Sequence, residues 1–366
     1  MHPDRVDVRA ATGGYSVLIG DGLSARLGRV LDEHRIGARR LVVSNPVVWR
    51  IHGDRIGSAI GPHELILVPD GERHKHLASV SLIYDALVRA DADRGSIVVA
   101  VGGGVIGDMA GFAAATYLRG IGFVQVPTTL LAQVDASIGG KVGVNLAAGK
   151  NLVGAFHPPR LVVTDPALLE TLPRREYRAG LYEIIKYGMA CSRDLFGRLQ
   201  ELAPRLAEPG APALAPIIAE CCRIKAAIVS ADEREAGPRR LLNFGHTAGH
   251  AVEALTEYER FRHGEAVAWG MLVAARVAAA RGLLAEPDAD ALRALVMKLG
   301  PLPPVADLEV ADTIAAMRRD KKIVEGTLHF VLPAGIGTAL VVDDVTEIEL
   351  AEALAAVGFD ASGSAA

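Results

Sequence analysis

The sequence predicts an α/β N-terminal domain with a mainly parallel sheet, followed by an all-α C-terminal domain. Short strand-like runs alternate with helical patterns over residues 1–165, and such alternation is typical of a parallel sheet covered on both faces. From residue 166 onward the apolar residues recur almost entirely at helical spacing. A chain of 366 residues is also too long for one simple core. We therefore expect two domains, 1–165 and 166–366.

Apolar runs at six places in the first domain predict short buried strands. They lie at residues 15–19, 40–43, 64–68, 96–101, 122–126 and 161–164. An apolar helical run at 109–118 follows the fourth strand. Residues 132–157 interrupt this rhythm because they are rich in glycine and show little helical periodicity. We expect a long functional loop or a hairpin there.

In the second domain, helical spacing predicts helices at 174–189, 195–206, 214–231, 241–256, 264–281 and 288–299. A strand is predicted at 327–332 and a last helix at 345–357. Four prolines between residues 204 and 216 predict an irregular connection. The tail, 360–366, is small and polar, so we expect it to be disordered.

Composition excludes several classes of partner. The net charge of −4 leaves no basic footprint for nucleic acid. No apolar run reaches the ~18 residues of a membrane span, and the N-terminus lacks a signal-peptide pattern. The three cysteines form no disulfide framework, so we expect a cytoplasmic protein with reduced thiols.

The run GGGVIGD directly follows the strand at 96–101 and precedes a helix. Its Gly102, Gly104 and Gly107 match the spacing G-x-G-x-x-G, in which glycines let backbone N–H groups approach a pyrophosphate. The acidic residue expected about twenty positions later is missing, since that region is GFVQVPTT. Two interpretations stay open: a dinucleotide site whose ribose contacts come from elsewhere, such as residues 69–75, or a tight turn of a parallel sheet.

Three histidines lie close together in the sequence between residues 239 and 271. His246 and His250 are four residues apart and share a face of the predicted helix, so both could meet one divalent ion. His263 opens the next helical run. The alternative is that these are ordinary core or surface histidines. A zinc-protease pattern is not favoured, because Thr247 stands where that pattern needs glutamate.

Several cations stand in unusual surroundings. Arg119, Lys141 and Lys150 lie in glycine-rich or turn-like segments, whereas Lys186 and Lys225 lie inside apolar helical runs. Each lysine alone could extend its ammonium group to solvent. Together they favour an anionic substrate with phosphate or carboxylate groups. Glu183, three residues before Lys186, could be an ion-pair partner or could complete a metal site.

Long motifs in this chain resemble the 3-dehydroquinate synthase family. They are GGGVIGDMAGFAAATYLRGIGFVQVPTTLLAQVDASIGGKVGVN, GKNLVGAF, AGLYEIIKYG, LLNFGHTAGHAVEA, HGEAVAWGM and DKKIVEGTLHFVLP, and the resemblance covers residues 15–357 in order. It implies an NAD-binding α/β domain, a helical metal- and substrate-binding domain, and a homodimer. The cofactors implied are NAD and one divalent metal, zinc or cobalt.

The resemblance also implies roles for individual residues. The metal ligands would be Glu183, His246 and His263, with His250 contacting substrate and assisting proton transfer rather than binding the metal. The other residues implied to bind substrate or act in catalysis are Arg119, Asp135, Lys141, Lys150, Asn151, Lys186, Lys225, Arg239 and Asn243, with Lys321 or Lys322 near the phosphate. The residues implied to bind NAD, or to border it, are Asp70, Gly71, Glu72, Arg73, His74, Lys75, Gly104, Val105, Ile106, Gly107, Asp108, Thr128, Thr129, Lys141, Lys150, Leu168, Leu169, Glu170 and Thr171. One departure from the family is that Asn45 and Val47 occupy places where many members have an acidic residue and an asparagine touching the adenosine.

The activity implied is a carbon–oxygen lyase reaction of the shikimate pathway, a step of chorismate and aromatic amino-acid biosynthesis. The seven-carbon keto-acid phosphate DAHP would become 3-dehydroquinate and phosphate through transient oxidation by NAD, β-elimination, reduction and intramolecular aldol closure. Three alternatives stay open: another sugar-phosphate cyclase making a valiolone or scyllo-inosose product, a metal-dependent polyol dehydrogenase of the glycerol dehydrogenase type, and a catalytically silent NAD- or zinc-binding regulatory module.

Overall fold

A computed structural model describes residues 3–9, 13–37, 39–206, 208–319, 323–324 and 327–362. The chain forms two compact units. Unit 1 consists of Met1–Pro173 and Pro209–Arg234, and unit 2 consists of Arg174–Glu208 and Glu235–Ala366. The sequence placed one boundary after residue 165, so it did not predict that the segment at 209–234 returns to the first unit. The reason is tertiary packing, because the helix in this segment contacts the first two strands.

The regular elements follow in chain order. Up to residue 173 they are β1 (Asp4–Val8), β2 (Tyr15–Ile19), α1 (Leu27–Glu33), β3 (Arg40–Ser44), α2 (Pro46–Ile60), β4 (His63–Leu67), α3 (Leu77–Arg89), β5 (Ile97–Gly102), α4 (Gly104–Thr116), β6 (Gly122–Pro127), β7 (Lys141–Leu146), β8 (Gly149–Phe156) and β9 (Leu161–Thr164). Then come α5 (Arg174–Cys191), α6 (Arg193–Leu202), α7 (Leu214–Ala231), α8 (His246–Leu255), α9 (His263–Ala280), α10 (Glu286–Lys298), α11 (Val310–Met317), β10 (Ile323–Val324), β11 (Thr327–Leu328), β12 (Phe330–Pro333), β13 (Ala339–Val342) and α12 (Glu347–Val357).

Unit 1 is organised around a seven-stranded sheet of order β1-β2-β9-β6-β5-β3-β4. Its strands pair in parallel except for β1, which pairs antiparallel with β2. The six predicted strands are all present, each within one residue of its predicted bounds. β1 was not predicted, because this edge strand, DRVDV, buries only two of its five side chains.

Both faces of the sheet are buried, which explains why its strands are continuous apolar runs. Alternate residues of a strand enter different cores. Val98 and Ala100 of β5 pack in the core formed with α3 and α4, whereas Val99 and Val101 pack in the core formed with α1 and α2. The predicted α/β class is therefore confirmed.

The glycine-rich segment at 132–157 is a short π-helix, Ala132–Ala136, followed by an antiparallel hairpin of β7 and β8. The prediction of a loop or hairpin is confirmed. The hairpin is held to the preceding part of unit 1, since Asn145 N–H donates to the carbonyl oxygen of Lys75 at 2.7 Å.

The described part of unit 2 has helices as its regular elements apart from the short antiparallel pairs β10–β11 and β12–β13. The predicted strand at 327–332 corresponds to β11 and β12. The predicted helix at 241–256 is divided, because Gly245 adopts φ 78° between a 3-10 helix, Pro238–Asn243, and the start of α8 at His246. Among the residues described, no helix combines the length and apolarity needed to cross a membrane.

Candidate active site

The glycine-rich turn of unit 1 joins β5 to α4 at the carboxyl end of the sheet. Gly103 is the N-cap residue, and α4 begins at Gly104. Gly107 lies close to β6, because a Cβ at this position would lie 2.7 Å from Oε1 of Gln125 and would require that side chain to move. The absent side chain thus lets the N-terminus of α4 sit close against the sheet. This arrangement fits the dinucleotide motif, in which backbone N–H groups and the helix dipole meet a pyrophosphate.

Thr128 and Thr129 adjoin this turn, as expected of residues that share a ligand with it. Thr128 N–H donates to the carbonyl oxygen of Gly102 at 3.0 Å. A Cβ on Gly103 would lie 3.0 Å from Cγ2 of Thr129. Both threonines therefore border the space at the end of β5 where the motif would hold phosphate.

The predicted cofactor residues at 168–171 lie in a 3-10 helix, Pro166–Thr171. The side chains of Leu168 and Leu169 are fully buried, so these two residues could contact a cofactor only through their backbone. Thr171 Oγ1 lies 2.9 Å from Nε2 of His52. Glu170 is exposed.

The structure brings two predicted residues, Asp108 and Asn151, to a third, the buried Lys75. Lys75 Nζ lies 2.5 Å from Oδ2 of Asp108 and donates to Oδ1 of Asn151 at 2.5 Å. Burial alone lowers the pKa of Lys75, but the carboxylates of Asp108 and Glu72 outweigh it and raise that pKa above its usual value. Lys75 therefore connects α4, which carries Asp108, to the β7–β8 hairpin, which carries Asn151.

Asn45 has a local structural role. Its Oδ1 accepts from Val48 N–H at 2.7 Å, which caps α2, and its Nδ2 donates to Oδ1 of Asp70 at 2.7 Å. An asparagine after β3 is thus explained by capping and by its hydrogen bond to a predicted cofactor residue.

A second charged pair in unit 1 joins the π-helix to α7. Lys225 Nζ donates to the carbonyl oxygen and to Oδ1 of Asp135, both at 2.7 Å. Lys225 is only 5% exposed, so the lysine does not reach out to solvent, which was the alternative for a cation on an apolar helix. π-Helical turns occur frequently at functional sites, and this one carries the carboxylate that pairs with Lys225.

Glycines determine how closely the helices that carry Glu183, His246 and His263 pack in unit 2. A Cβ on Gly270 of α9 would lie 1.8 Å from the carbonyl oxygen of Gly245, and one on Gly264 would lie 1.9 Å from the carbonyl oxygen of Ala179 in α5. Only glycine permits these backbone contacts. They pack α9 directly against both the start of α8 and α5, and this brings the side chains of three helices to one place.

Glu183 of α5, His246 of α8 and His263 of α9 form a group that could hold a metal ion, with one ligand atom of each within 4.8 Å of the others. Oε1 of Glu183 lies 3.9 Å from Nε2 of His246 and 3.6 Å from Nε2 of His263. The rings of the two histidines have centroids 5.2 Å apart. One carboxylate oxygen and two neutral imidazole nitrogens are a donor set suited to Zn²⁺.

Glu183 is the strongest indication that this group suits an ion. Its side chain is fully buried, and within the described part of the chain neither carboxylate oxygen accepts a hydrogen bond of normal geometry. The ammonium of Lys186, also buried, lies 2.5 Å from Oε2 and pairs with it. Oε1 instead faces the two histidines and accepts no hydrogen bond from the described residues. A buried carboxylate is costly unless it is hydrogen-bonded, paired or bound to a metal. The residues present therefore fit a divalent cation.

His250 lies beside this group but not in it. Its ring centroid is 5.5 Å from that of His246 and 6.0 Å from that of His263. Among the described residues, no candidate metal group contains both His246 and His250. The described residues therefore offer no such group for the hypothesis that these two residues meet one ion, although their rings lie close together.

Sequence reasoning missed two glutamates. Glu253 of α8 is buried, and its Oε2 lies 3.2 Å from Nδ1 of His263. It stands three residues after His250 and seven after His246, so helical spacing could have found it. Glu235 accepts from Nδ2 of Asn243, one of the predicted substrate residues, at 2.5 Å; no spacing signal indicates this contact.

Other predicted residues are placed by their exposure and backbone position, and two lie outside the described residues. Arg119 is exposed and adopts φ 66°, Lys141 is exposed at the start of β7, and Arg239 is buried in the 3-10 helix before α8. Lys150 is partly buried at the start of β8. Lys321 and Lys322 lie outside the described residues.

Comparison with known proteins gives consistent matches. The family model described as 3-dehydroquinate synthase N-terminal matches residues 65–179, and that described as 3-dehydroquinate synthase C-terminal matches residues 180–323. Curated relatives called 3-dehydroquinate synthase include one from Synechococcus sp., 46% identical over 96% of this chain and 98% of its own length. Another, from Gloeobacter violaceus, is 48% identical over 91% and 93%.

Among solved structures, the chain is similar to ValA, a 2-epi-5-epi-valiolone synthase from Streptomyces hygroscopicus with NAD⁺ and Zn²⁺ bound. The TM-score is 0.87 at 31% identity, with 97% of this chain and 99% of that one covered. It is also similar to a 2-deoxy-scyllo-inosose synthase complexed with carbaglucose-6-phosphate, NAD⁺ and Co²⁺, with TM-score 0.85 at 28% identity and coverage of 96% and 99%. A probable glycerol dehydrogenase from Sinorhizobium meliloti, at 19% identity and TM-score 0.61, shares the fold.

Two family models that together match residues 65–323, and relatives near 45% identity over almost the whole chain, leave one assignment. This chain belongs to the 3-dehydroquinate synthase family.

Proposed function

We propose that this protein is a 3-dehydroquinate synthase, which converts DAHP to 3-dehydroquinate and phosphate. The observation that carries the proposal is the Glu183, His246 and His263 group with its buried carboxylate, whose two oxygens accept no hydrogen bond from the described residues. It occurs in a chain 45–48% identical to curated proteins of that name. The identity to the solved valiolone and scyllo-inosose cyclases is lower, 28–31%, so neither product is favoured.

The group that we assign to the metal is Glu183, His246 and His263, and we assign NAD to the glycine-rich turn of unit 1. When bound, NAD supplies a reversible hydride acceptor, and Zn²⁺ or Co²⁺ acidifies the hydroxyl that is oxidised. The solved cyclases named above hold these cofactors. In this chain the supporting features are the closely packed N-terminus of α4 and the donor set of unit 2.

The protein's own residues would bind and orient the anionic substrate. Lys225 is fixed by Asp135 at 2.7 Å, so its ammonium is held in one place before substrate arrives. Asn243 is held in the same way by Glu235. Lys186 contacts Glu183 and would balance the carboxylate's charge. Preorganised cations and amides of this kind suit a substrate with a phosphate and a carboxylate group.

His250 would exchange a proton with the substrate. Its ring lies beside those of His246 and His263 without joining their metal group. An imidazole side chain can accept and donate a proton near neutral pH. We therefore assign proton transfer with substrate to His250.

The experiment that tests the function is phosphate release from DAHP by the purified protein with NAD and Zn²⁺ or Co²⁺, monitored together with absorbance at the NADH wavelength. A synthase releases phosphate without net NADH, and the product is identified as 3-dehydroquinate by mass spectrometry. Net NADH from simple polyols would indicate a dehydrogenase instead. NAD binding with neither reaction would indicate a regulatory module.

We also propose that the protein is a cytoplasmic homodimer. Cys191, Cys221 and Cys222 form no disulfide, which is consistent with a reducing compartment. Light scattering coupled to size-exclusion chromatography would test the assembly: a mass near twice 38.5 kDa is expected, and a single-chain mass would contradict it.

A further inference from the structure

Glu253 is a buried carboxylate to which neither the sequence motifs nor the proposed reaction gives a role. It lies in α8, is 3% exposed, and its Oε2 is 3.2 Å from Nδ1 of His263 in α9. A carboxylate removed from water is retained only where it has a strong partner. The contact with His263 supplies one.

The two nitrogens of the His263 ring point to different carboxylates. Nε2 lies 3.6 Å from Oε1 of Glu183, whereas Nδ1 lies 3.2 Å from Oε2 of Glu253. A neutral imidazole has one N–H donor and one lone pair. Because Glu253 can only accept when ionised, it favours the tautomer with the proton on Nδ1. The lone pair of Nε2 then faces Glu183 and His246.

We propose that Glu253 is a positioning residue for the metal site: it holds the tautomer and ring orientation of His263 so that Nε2 can bind the ion. This inference rests on the metal assignment in the proposed function. Carboxylate partners of this kind raise the basicity of a ligating histidine and fix its direction, and removing one costs about 10–100-fold in metal affinity.

A competing interpretation makes Glu253 a metal ligand, since His250, Glu253 and His263 also form a group within 4.8 Å. The geometry favours the positioning role. An ion bound by Glu183 and His246 needs Nε2 of His263, and one imidazole cannot direct both nitrogens to the same ion. The oxygens without hydrogen bonds from the described residues belong to Glu183. A cation would therefore be stabilised more on the side of the His263 ring where Nε2 faces Glu183.

Two substitutions of Glu253 separate these roles. Glu253→Gln keeps an oxygen that accepts from Nδ1–H but is a poor metal ligand, whereas Glu253→Leu removes the acceptor at similar size. Val252→Ala is the matched control, because Val252 is the preceding buried residue of the same helix and is not one of the proposed metal ligands. For all four proteins we would measure Zn²⁺ affinity by chelator competition, the visible spectrum of the Co²⁺ form, and the thermal midpoint.

We expect Glu253→Leu to bind Zn²⁺ about 10–100-fold more weakly and to shift the Co²⁺ spectrum, since the ligand field depends on the direction and basicity of His263. Glu253→Gln should recover most of the affinity and the wild-type spectrum. Val252→Ala should lower the thermal midpoint and leave affinity and spectrum unchanged.

Other outcomes would overturn the inference. Wild-type affinity and spectrum in Glu253→Leu would show a merely structural carboxylate. Equal loss of affinity in Glu253→Gln and Glu253→Leu would show a ligand instead of a positioning residue. In both cases the wild-type metal site stands. If the wild-type protein itself bound no divalent metal, the metal assignment of the proposed function would fail together with this inference.

Discussion

The two units treat buried charge in different ways. In unit 1 the buried lysines Lys75 and Lys225 each lie within 2.7 Å of an aspartate and donate hydrogen bonds. In unit 2 the buried Glu183 contacts Lys186, yet its oxygens accept no hydrogen bond from the described residues. The first unit has charges fixed by protein partners, and the second has a carboxylate and two imidazoles suited to an ion. Unit 1 therefore holds its buried lysines in fixed ion pairs, whereas unit 2 has a group of side chains suited to bind a metal ion.

The largest expected effect comes from removing a proposed ligand. His246→Ala should weaken Zn²⁺ binding by more than the ~10–100-fold typical of an outer partner and abolish turnover. His250→Ala should keep the metal and lower kcat by about 10²–10⁴-fold, the usual contribution of a general acid or base. Metal content and kcat of both variants test this.

A control for the histidine variants is His63→Ala, which removes a histidine of β4 in unit 1 and should change neither quantity. Loss of metal from both His246→Ala and His250→Ala would contradict the division of roles and restore a site that uses both histidines of α8.

The second effect comes from the backbone contact that brings α8 and α9 together. Gly270→Ala places a methyl group 1.8 Å from the carbonyl oxygen of Gly245, so the helices must separate. We expect a loss of about 2–4 kcal/mol in the free energy of unfolding, with weaker Zn²⁺ binding, measured by chemical denaturation and chelator competition.

The matched control is Gly197→Ala in α6, where an added Cβ meets nothing within 4 Å. There alanine should stabilise by about 0.5–1 kcal/mol through its better helix propensity. Equal stability of the Gly270→Ala variant and the wild type would show that the close packing does not hold the histidine cluster.

A smaller effect is expected from the fixed charges of unit 1. Lys225→Met leaves Asp135 without its ammonium partner, and we expect a loss of about 1–3 kcal/mol in the free energy of unfolding, with unchanged Zn²⁺ affinity. Under the proposed function the same variant also raises KM for DAHP.

Arg5→Met is the control for a pair that is already exposed, since both Arg5 and Asp7 have side chains 59% exposed. It should change the free energy of unfolding by less than about 0.5 kcal/mol. If Lys225→Met lost Zn²⁺ as well, the ion pair of unit 1 and the metal group of unit 2 would not be independent, and the comparison would be wrong.

The smallest effect concerns pH. Hydrogen bonds from Arg281 hold the pKa of Glu349 well below its usual 4.5, at about 2. A depressed pKa stabilises the folded state above the unfolded pKa, and this stabilisation is lost as pH falls from about 5 toward 2. We expect Glu349→Gln to cost at most about 1 kcal/mol at pH 7, and to unfold with a weaker pH dependence between pH 5 and 2. An identical pH dependence in variant and wild type would contradict the pairing.

Much of the fold could be predicted because its signals are local. Strands buried on both faces must be continuous apolar runs, and the six such runs became β2, β3, β4, β5, β6 and β9. The glycine run after β5 likewise indicated a strand–turn–helix. By contrast, β1 was missed because an edge strand with alternating exposure has few apolar residues.

The candidate site was only partly predictable. The residues alone pointed to His246, His250 and His263, and to Glu183 as an ion-pair partner or part of a metal site. Resemblance to the family selected Glu183, His246 and His263 as the ligands, and the structure places these three in one group. Spacing alone could not select this group, because α5 and α9 are brought to α8 by contacts at Gly264 and Gly270 between residues distant in sequence.

By itself, the sequence determined the elements, the α/β and helical regions, and the residue types available for chemistry, because propensity and hydrophobic periodicity act over a few residues. Only the tertiary structure decided that α7 and Lys225 belong with the first unit. It alone also decided which nitrogen of His263 faces Glu183 and which faces Glu253. These outcomes depend on packing between distant segments, where one missing Cβ or one buried carboxylate sets the geometry.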